Sequence, residues 1–155
     1  MFRQILVATD LTPISRAAVA RAHVLARQQH AHLHLLHVVP DPTRHPYVVD
    51  SVAIDWERLR AEACGAGRRA LIAAVRRLGR DHRRTSVEAR IGAPAPAILE
   101  YARRHAVDLI VLGSHGRGRL AAALLGNVTD AVVRGARCPV MIVRAAPARR
   151  TASAA

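Results

Sequence analysis

The chain is poor in aromatic residues, which make up 3% of its 155 positions, and it contains no lysine. So few rings rule out a core built on aromatic stacking, and they leave almost nothing to interleave between bases along a single strand of nucleic acid. Cysteine is nearly absent too. Cys64 and Cys138 stand alone without metal-ligand spacing, which argues against a disulfide scaffold or a zinc site and suits reduced thiols. No window approaches the roughly 18 uncharged apolar residues of a membrane span. The apolar run near the N-terminus is too short for a signal sequence. The expectation is a cytoplasmic protein with no membrane partner. Two phosphate-binding signatures are also missing. No Lys-Ser or Lys-Thr follows a glycine loop as a Walker motif requires, and Gly113, Gly116 and Gly118 run in the order G-x-x-G-x-G rather than the dinucleotide order.

What remains is aliphatic and basic. Half the residues are apolar, at 51%, and 24 arginines face 11 acids for a formal charge of +13. Arg58, Arg60, Arg68, Arg69, Arg76, Arg77, Arg80, Arg83 and Arg84 crowd one segment. Charge alone gives only salt-sensitive, non-specific attraction to nucleic acid, so a solvated arginine surface is the better reading and nucleic acid is not an expected partner. The length fits one domain able to bury a real core.

Strand and helix signals alternate along the chain. Ile5 to Ala8 is a short buried strand, and Thr12 with Pro13 marks the start of a helix reaching about Gln29. Its expected inner face is Ile14, Ala18, Ala22 and Leu25. Leu33 to Val39 is a second strand, followed by a loop rich in proline at 40, 42 and 46. A helix from about Ser51 to Leu78 would bury Leu59, Ala63, Ala66, Ala70, Ala74 and Leu78, with Gly65 and Gly67 weakening its middle. Val87, Ala89 and Ile91 alternate with polar residues, the pattern of an edge strand. A helix from Pro94 or Pro96 to about His105 should turn Ile98, Leu99 and Ala102 inward. Leu109 to Leu112 is a strand ended by Gly113. Asn127 is the expected N-cap of a helix to Arg134, and Pro139 to Val143 is a last strand. Residues 1–145 form the expected domain, and 146–155 a disordered tail.

This alternation predicts a three-layer, doubly wound α/β domain with a five-stranded parallel sheet of order 3-2-1-4-5. That order reverses direction between the first and fourth strands, and ligands bind beyond the carboxyl ends of strands at such a point. The strand ends meeting there carry Asp10 and Gly113. Glycines allow backbone amides to approach a ligand, and a helix start presents unpaired N–H groups to an anion. Two amide-rich turns suit a phosphate chain, although glycines in a loop also serve simple turn chemistry, and Asp10 before a helix cap also organises its own turn. His30, His32 and His34 alternate onto one side, but no carboxylate or cysteine shares their spacing, so no metal is expected.

Ile5-Leu6-Val7-Ala8-Thr9-Asp10, Leu35-Leu36-His37-Val38, and G-x-x-G-x9-G followed by Cys138-Pro139-Val140 together resemble the universal stress protein family over about residues 2–144. The ATP-binding branch of that family carries G-x-x-G-x9-G-[ST], and here Asn127 replaces the Ser or Thr. The resemblance implies a Rossmann-like domain of the adenine nucleotide alpha hydrolase type that binds ATP, with or without Mg2+, and acts as a regulatory protein in the stress response. Asp10 would hold the ribose hydroxyls beside Thr9, and Val38 would contact adenine. Gly113, Gly116 and Gly126 would admit the phosphates, with the Asn127 and Val128 amides donating to them. The implied site also takes in Ala8, Leu112, His115, Arg117 and Thr129. It gives His115 no catalytic role, and nothing assembles a nucleophile, base and orienter, so at most slow hydrolysis is expected. The resemblance further implies a homodimer paired through Val140 to Val143. The alternative is a nucleotide-free module acting through its dimer surfaces.

Overall fold

The computed structural model describes residues 1–41, 55–79, 84–114 and 127–144. In chain order they form β1 (Gln4–Ala8), α1 (Pro13–Gln29), β2 (His32–Val39), α2 (Trp56–Arg77), β3 (Thr85–Ile91), α3 (Pro94–Arg104), β4 (Leu109–Ser114), α4 (Asn127–Gly135) and β5 (Val140–Arg144). The five strands make one sheet of order β3-β2-β1-β4-β5, with every neighbouring pair parallel. Fold class and strand order are those expected from the sequence. The proline loop beyond Asp41 and the C-terminal tail lie outside the described residues.

Strand composition explains the layering. In β1, Ile5 and Val7 pack with Ala18, Val19, Ala22, Leu71 and Val75 in one core. Leu6 turns the other way, joining Leu36, Ile98, Tyr101, Ala102 and Val132 in a second. A strand apolar at every position is one buried on both faces, because its side chains alternate between them. Helices α1 and α2 therefore cover one face, and α3 and α4 the other. Asp108 fixes the β1–β4 pairing: its carboxylate accepts from the backbone N–H groups of Arg3 at 2.7 Å and Gln4 at 3.0 Å. Thr12 caps α1, accepting from the Ser15 N–H, with Pro13 in the first turn, an arrangement worth about 1 kcal/mol.

Three expectations need correction. The buried stripe of α2 is Gly67, Leu71 and Val75, while Leu59 is 40% exposed and Ala66 is exposed. The alanine-rich helix offers several stripes of equal spacing, and the one chosen is set by the sheet beneath. A Cβ on Gly67 would stand 2.8 Å from His37 Cδ2 and 3.2 Å from Ala89 Cβ, so this glycine permits close packing. The inner face of α1 is rotated as well: Ser15, Ala18, Val19, Ala22, His23 and Ala26 are buried, and Ile14 and Leu25 lie at its margins. Finally, β4 does not stop at Gly113. The strand runs on through Ser114, with Gly113 paired to Val143.

Candidate functional site

At the carboxyl ends of β1 and β4 the sheet changes winding direction, and a cavity of about 290 Å³ opens there. Ala8, Thr9, Asp10, Val38, Leu112, Gly113, Asn127, Val128 and Thr129 all line it. His115, Gly116, Arg117 and Gly126 lie outside the described residues. Sequence reasoning missed Leu36, Pro94 and Ile98, which also line the cavity. Ile98 had been assigned inward on α3. What the sequence lacked was a signal that the first turn of α3 reaches the crevice rather than only the core.

The β1–α1 turn is held by its own side chains. Asp10 Oδ1 accepts from the Thr12 N–H at 3.0 Å and from the Thr12 hydroxyl at 2.6 Å, an Asx turn that fixes the carboxylate. Thr9 is 6% exposed. Its N–H donates to the Leu36 carbonyl at 2.9 Å, its hydroxyl oxygen lies 2.7 Å from that of Ser15 and accepts from the Leu11 N–H. Leu11 adopts a left-handed φ of 65°, so the chain bends sharply into α1. His37 adds a further anchor that the sequence did not disclose: its Nδ1–H donates to the Thr9 carbonyl at 2.8 Å. The acceptor can only be the carbonyl, which assigns the proton to Nδ1.

Gly113 has a structural cause distinct from ligand approach. A Cβ there would stand 3.0 Å from the Ser15 Cα and 3.4 Å from the Ile14 carbonyl oxygen. The glycine lets the start of α1 lie directly against β4, which brings Asp10 and the end of β4 to one crevice. Across from them lies α4, described from Asn127 onward. The first N–H groups of a helix have no partner within it and carry partial positive charge. Asn127 is exposed, Val128 is 38% exposed and Thr129 is buried. The crevice thus combines an oriented carboxylate and a helix start over an apolar floor of Ala8, Leu36, Val38 and Leu112. Chemically this suits a ligand with a hydroxylated middle, an apolar ring and an anionic end.

A larger cavity, about 550 Å³, lies between α3 and α4 at the opposite end of the sheet, with Leu99, Val107, Ile110 and Cys138 in its lining. It is flanked by the carboxyl ends of both helices, where Arg103, Arg104 and Arg134 complement the helix dipoles. Burial, then the negative charge of Asp108, pushes the Cys138 thiol up. Its turns are those at the amino ends of β4 and β5, so the smaller crevice at the carboxyl ends is the better candidate. Among the described residues, no group of three His, Cys, Asp or Glu side chains is placed to hold a metal ion, and no helix is long and apolar enough to cross a membrane.

The model of the universal stress protein family matches residues 1–144. The chain belongs to that family. Universal stress protein A homolog 2 of Coxiella burnetii is 35% identical over 145 residues, covering 92% of this chain and 95% of its own. Among solved structures, UspA from Lactobacillus plantarum is 28% identical with a TM-score of 0.73, covering 92% of this chain and 97% of its own. A universal stress protein solved in complex with cAMP is 27% identical, with a TM-score of 0.62, and covers 92% of this chain and 96% of its own.

Proposed function

We propose that this universal stress protein binds an adenine nucleotide, ATP first among them, in the crevice between β1 and β4, and acts as a nucleotide-responsive regulator in the stress response. The observation that carries the reading is the convergence of a turn-locked Asp10, the end of β4 and the start of α4 on one cavity. A family member of this fold solved with cAMP supports the ligand class. Asp10 would hold the ribose hydroxyls, Val38 would meet the base, and the Asn127 and Val128 amides would donate to phosphate. Asn127 stands where the ATP-binding branch carries Ser or Thr; its side-chain NH2 replaces a hydroxyl as donor. Binding rather than turnover is the proposed activity.

Calorimetric titration of ATP with Mg2+, and separately of cAMP, tests this in wild type and Asp10→Asn. The asparagine keeps an oxygen for the Thr12 donors, so the turn survives while the charge is lost. Saturable binding in wild type, weakened at least tenfold in the variant, is the expected result. No binding to wild type at millimolar nucleotide would sink the reading.

A second reading, a nucleotide-free module working through a dimer surface, is favoured by β5. This strand lies at one edge of the sheet, with Met141 38% exposed, and an open apolar edge invites pairing. Light scattering at micromolar concentration should give twice the chain mass; a monomer would refute the paired edge.

A further inference from the structure

At the amino ends of β1, β2 and β3, far from the crevice, three histidines and a tyrosine form one polar cluster, in which His34 and Tyr101 are buried and His32 and His105 half-buried. His34 is 6% exposed and Tyr101 3%. His34 Nε2 lies 2.9 Å from Gln4 Oε1, and its Nδ1 lies 3.1 Å from the Tyr101 hydroxyl. An amide oxygen only accepts, so Nε2 carries the proton and Tyr101 donates to Nδ1. The neutral ring is therefore satisfied on both sides. His32 lies against it with ring centroids 4.6 Å apart, and His105 at 5.4 Å. His105 in turn stacks on Tyr101 at 4.1 Å. His32 Nε2 is 2.7 Å from the Ser86 hydroxyl. One network thus ties α3 to all three strands.

We propose that this cluster is an acid-sensitive latch holding α3 on the sheet, and that its release is transmitted along α3 to the crevice, which Pro94 and Ile98 of the same helix line.

A proton added at His34 Nδ1 would turn the Tyr101 hydroxyl from donor to acceptor, and its own buried O–H would lose the acceptor it now has. The charge would also fall beside two more imidazoles. Among the described residues, the neighbouring carboxylates are engaged elsewhere. Arg84 acts on His32 with the same sign. Glu100 is engaged by Arg104 at 2.8 Å and Arg90 at 3.6 Å, and Glu88 by Arg90 at 3.8 Å. Asp108 accepts from two backbone N–H groups. Among the described residues, no carboxylate hydrogen-bonds any of the three rings. Burial, then the charges of His32 and His105, lowers the His34 pKa from 6.5 to about 4. An opening that restores the ordinary value is therefore favoured roughly 30-fold more at pH 5.0 than at pH 7.5.

Amide hydrogen exchange on ligand-free protein, corrected for intrinsic rates at each pH, is the test. From pH 7.5 to 5.0, protection in residues 97–107 should fall at least tenfold more than in residues 17–29 of α1. In His34→Gln, whose amide reaches the same partners without titrating, the difference should shrink below about threefold. Should that variant fail to fold, His105→Gln removes one neighbouring imidazole and should reduce the selective loss at least threefold. Equal loss in both helices, or an undiminished loss in the folded variant, overturns the latch. Loosening confined to residues 101–107, with 97–100 still protected, overturns transmission to the crevice. The readout needs no nucleotide, so this inference and the nucleotide reading fail independently.

Discussion

Two glycines two residues apart on α2 should respond differently to the same substitution. Either Gly→Ala change gains about 0.8–1 kcal/mol of helix propensity in a helix interior. At Gly65 the added Cβ would meet only Arg69 Nη1, at 3.3 Å, the far end of a flexible side chain that can swing aside. At Gly67 it would meet His37 Cδ2 at 2.8 Å and Ala89 Cβ at 3.2 Å. Neither neighbour yields easily. His37 is held by its hydrogen bond to the Thr9 carbonyl, and Ala89 sits in the ladder opposite His37 itself. Overpacking of this kind costs about 1–3 kcal/mol. Because the propensity gain is common to both variants, it cancels in their difference, and the two should differ by about 1–3 kcal/mol. At about 2–4 °C per kcal/mol for a domain of this size, Gly65→Ala should melt about 2–4 °C above wild type. Gly67→Ala should melt about 2–12 °C below Gly65→Ala. Thermal unfolding followed by circular dichroism is sufficient. In the double variant Gly67→Ala/His37→Ala the loss should be smaller than the sum of the single losses, since the ring that clashes is gone. Equal stabilisation by both alanines would refute the close approach of α2 to β2 and β3.

Other outcomes follow from the same geometry. Gly113→Ala should lower stability by about 1–3 kcal/mol in denaturant unfolding, because the atom its Cβ meets is α1 backbone rather than a mobile side chain; a neutral result would place the start of α1 farther from β4. Cys138 should alkylate more slowly than a free thiol at pH 8, since burial disfavours its thiolate; a rate equal to that of a model peptide would contradict this. For global stability the sign at His34 is definite. Its folded pKa is depressed, so the unfolded chain takes the proton first. The contribution is complete above about pH 6.5 and withdrawn as pH falls towards 4, up to about 3 kcal/mol, and His34→Gln should flatten that part of the stability profile.

The sheet order was legible because it rests on contrasts between strands. Leu109 to Leu112 is apolar throughout, while the Val87 strand alternates, and only a central and an edge position satisfy both. The α2 stripe was not legible. With alanine at 63, 66, 70, 73 and 74, periodicity alone cannot separate neighbouring faces, and the residue that marks the true one is a glycine, which carries no hydrophobic signal. The histidines of β2 show a related limit. Alternation placed His32 and His34 on one side, but their partners come from β1, β3 and α3, none near them in sequence. Gly113 was legible in position and not in cause. Read as the residue that ends the strand, it lies within the strand and also admits a helix.

That difference bears on how the site is built. If Gly113 served only a ligand, the crevice would rest on one loop; because it also seats α1 against β4, the packing that makes the core and the placement that brings Asp10 to the crevice are the same contact. Asp10 follows the same logic. Organising the turn and meeting a ligand can be read as alternatives for a carboxylate at a strand end. Under the proposed function the first serves the second, since two donors from Thr12 fix Oδ1 of a residue that lines the cavity. A group whose direction is set before a ligand arrives loses little entropy on binding. The comparison of Asp10→Asn with Asp10→Ala then separates the two roles. The asparagine should lose affinity while keeping the turn, and the alanine should lose both.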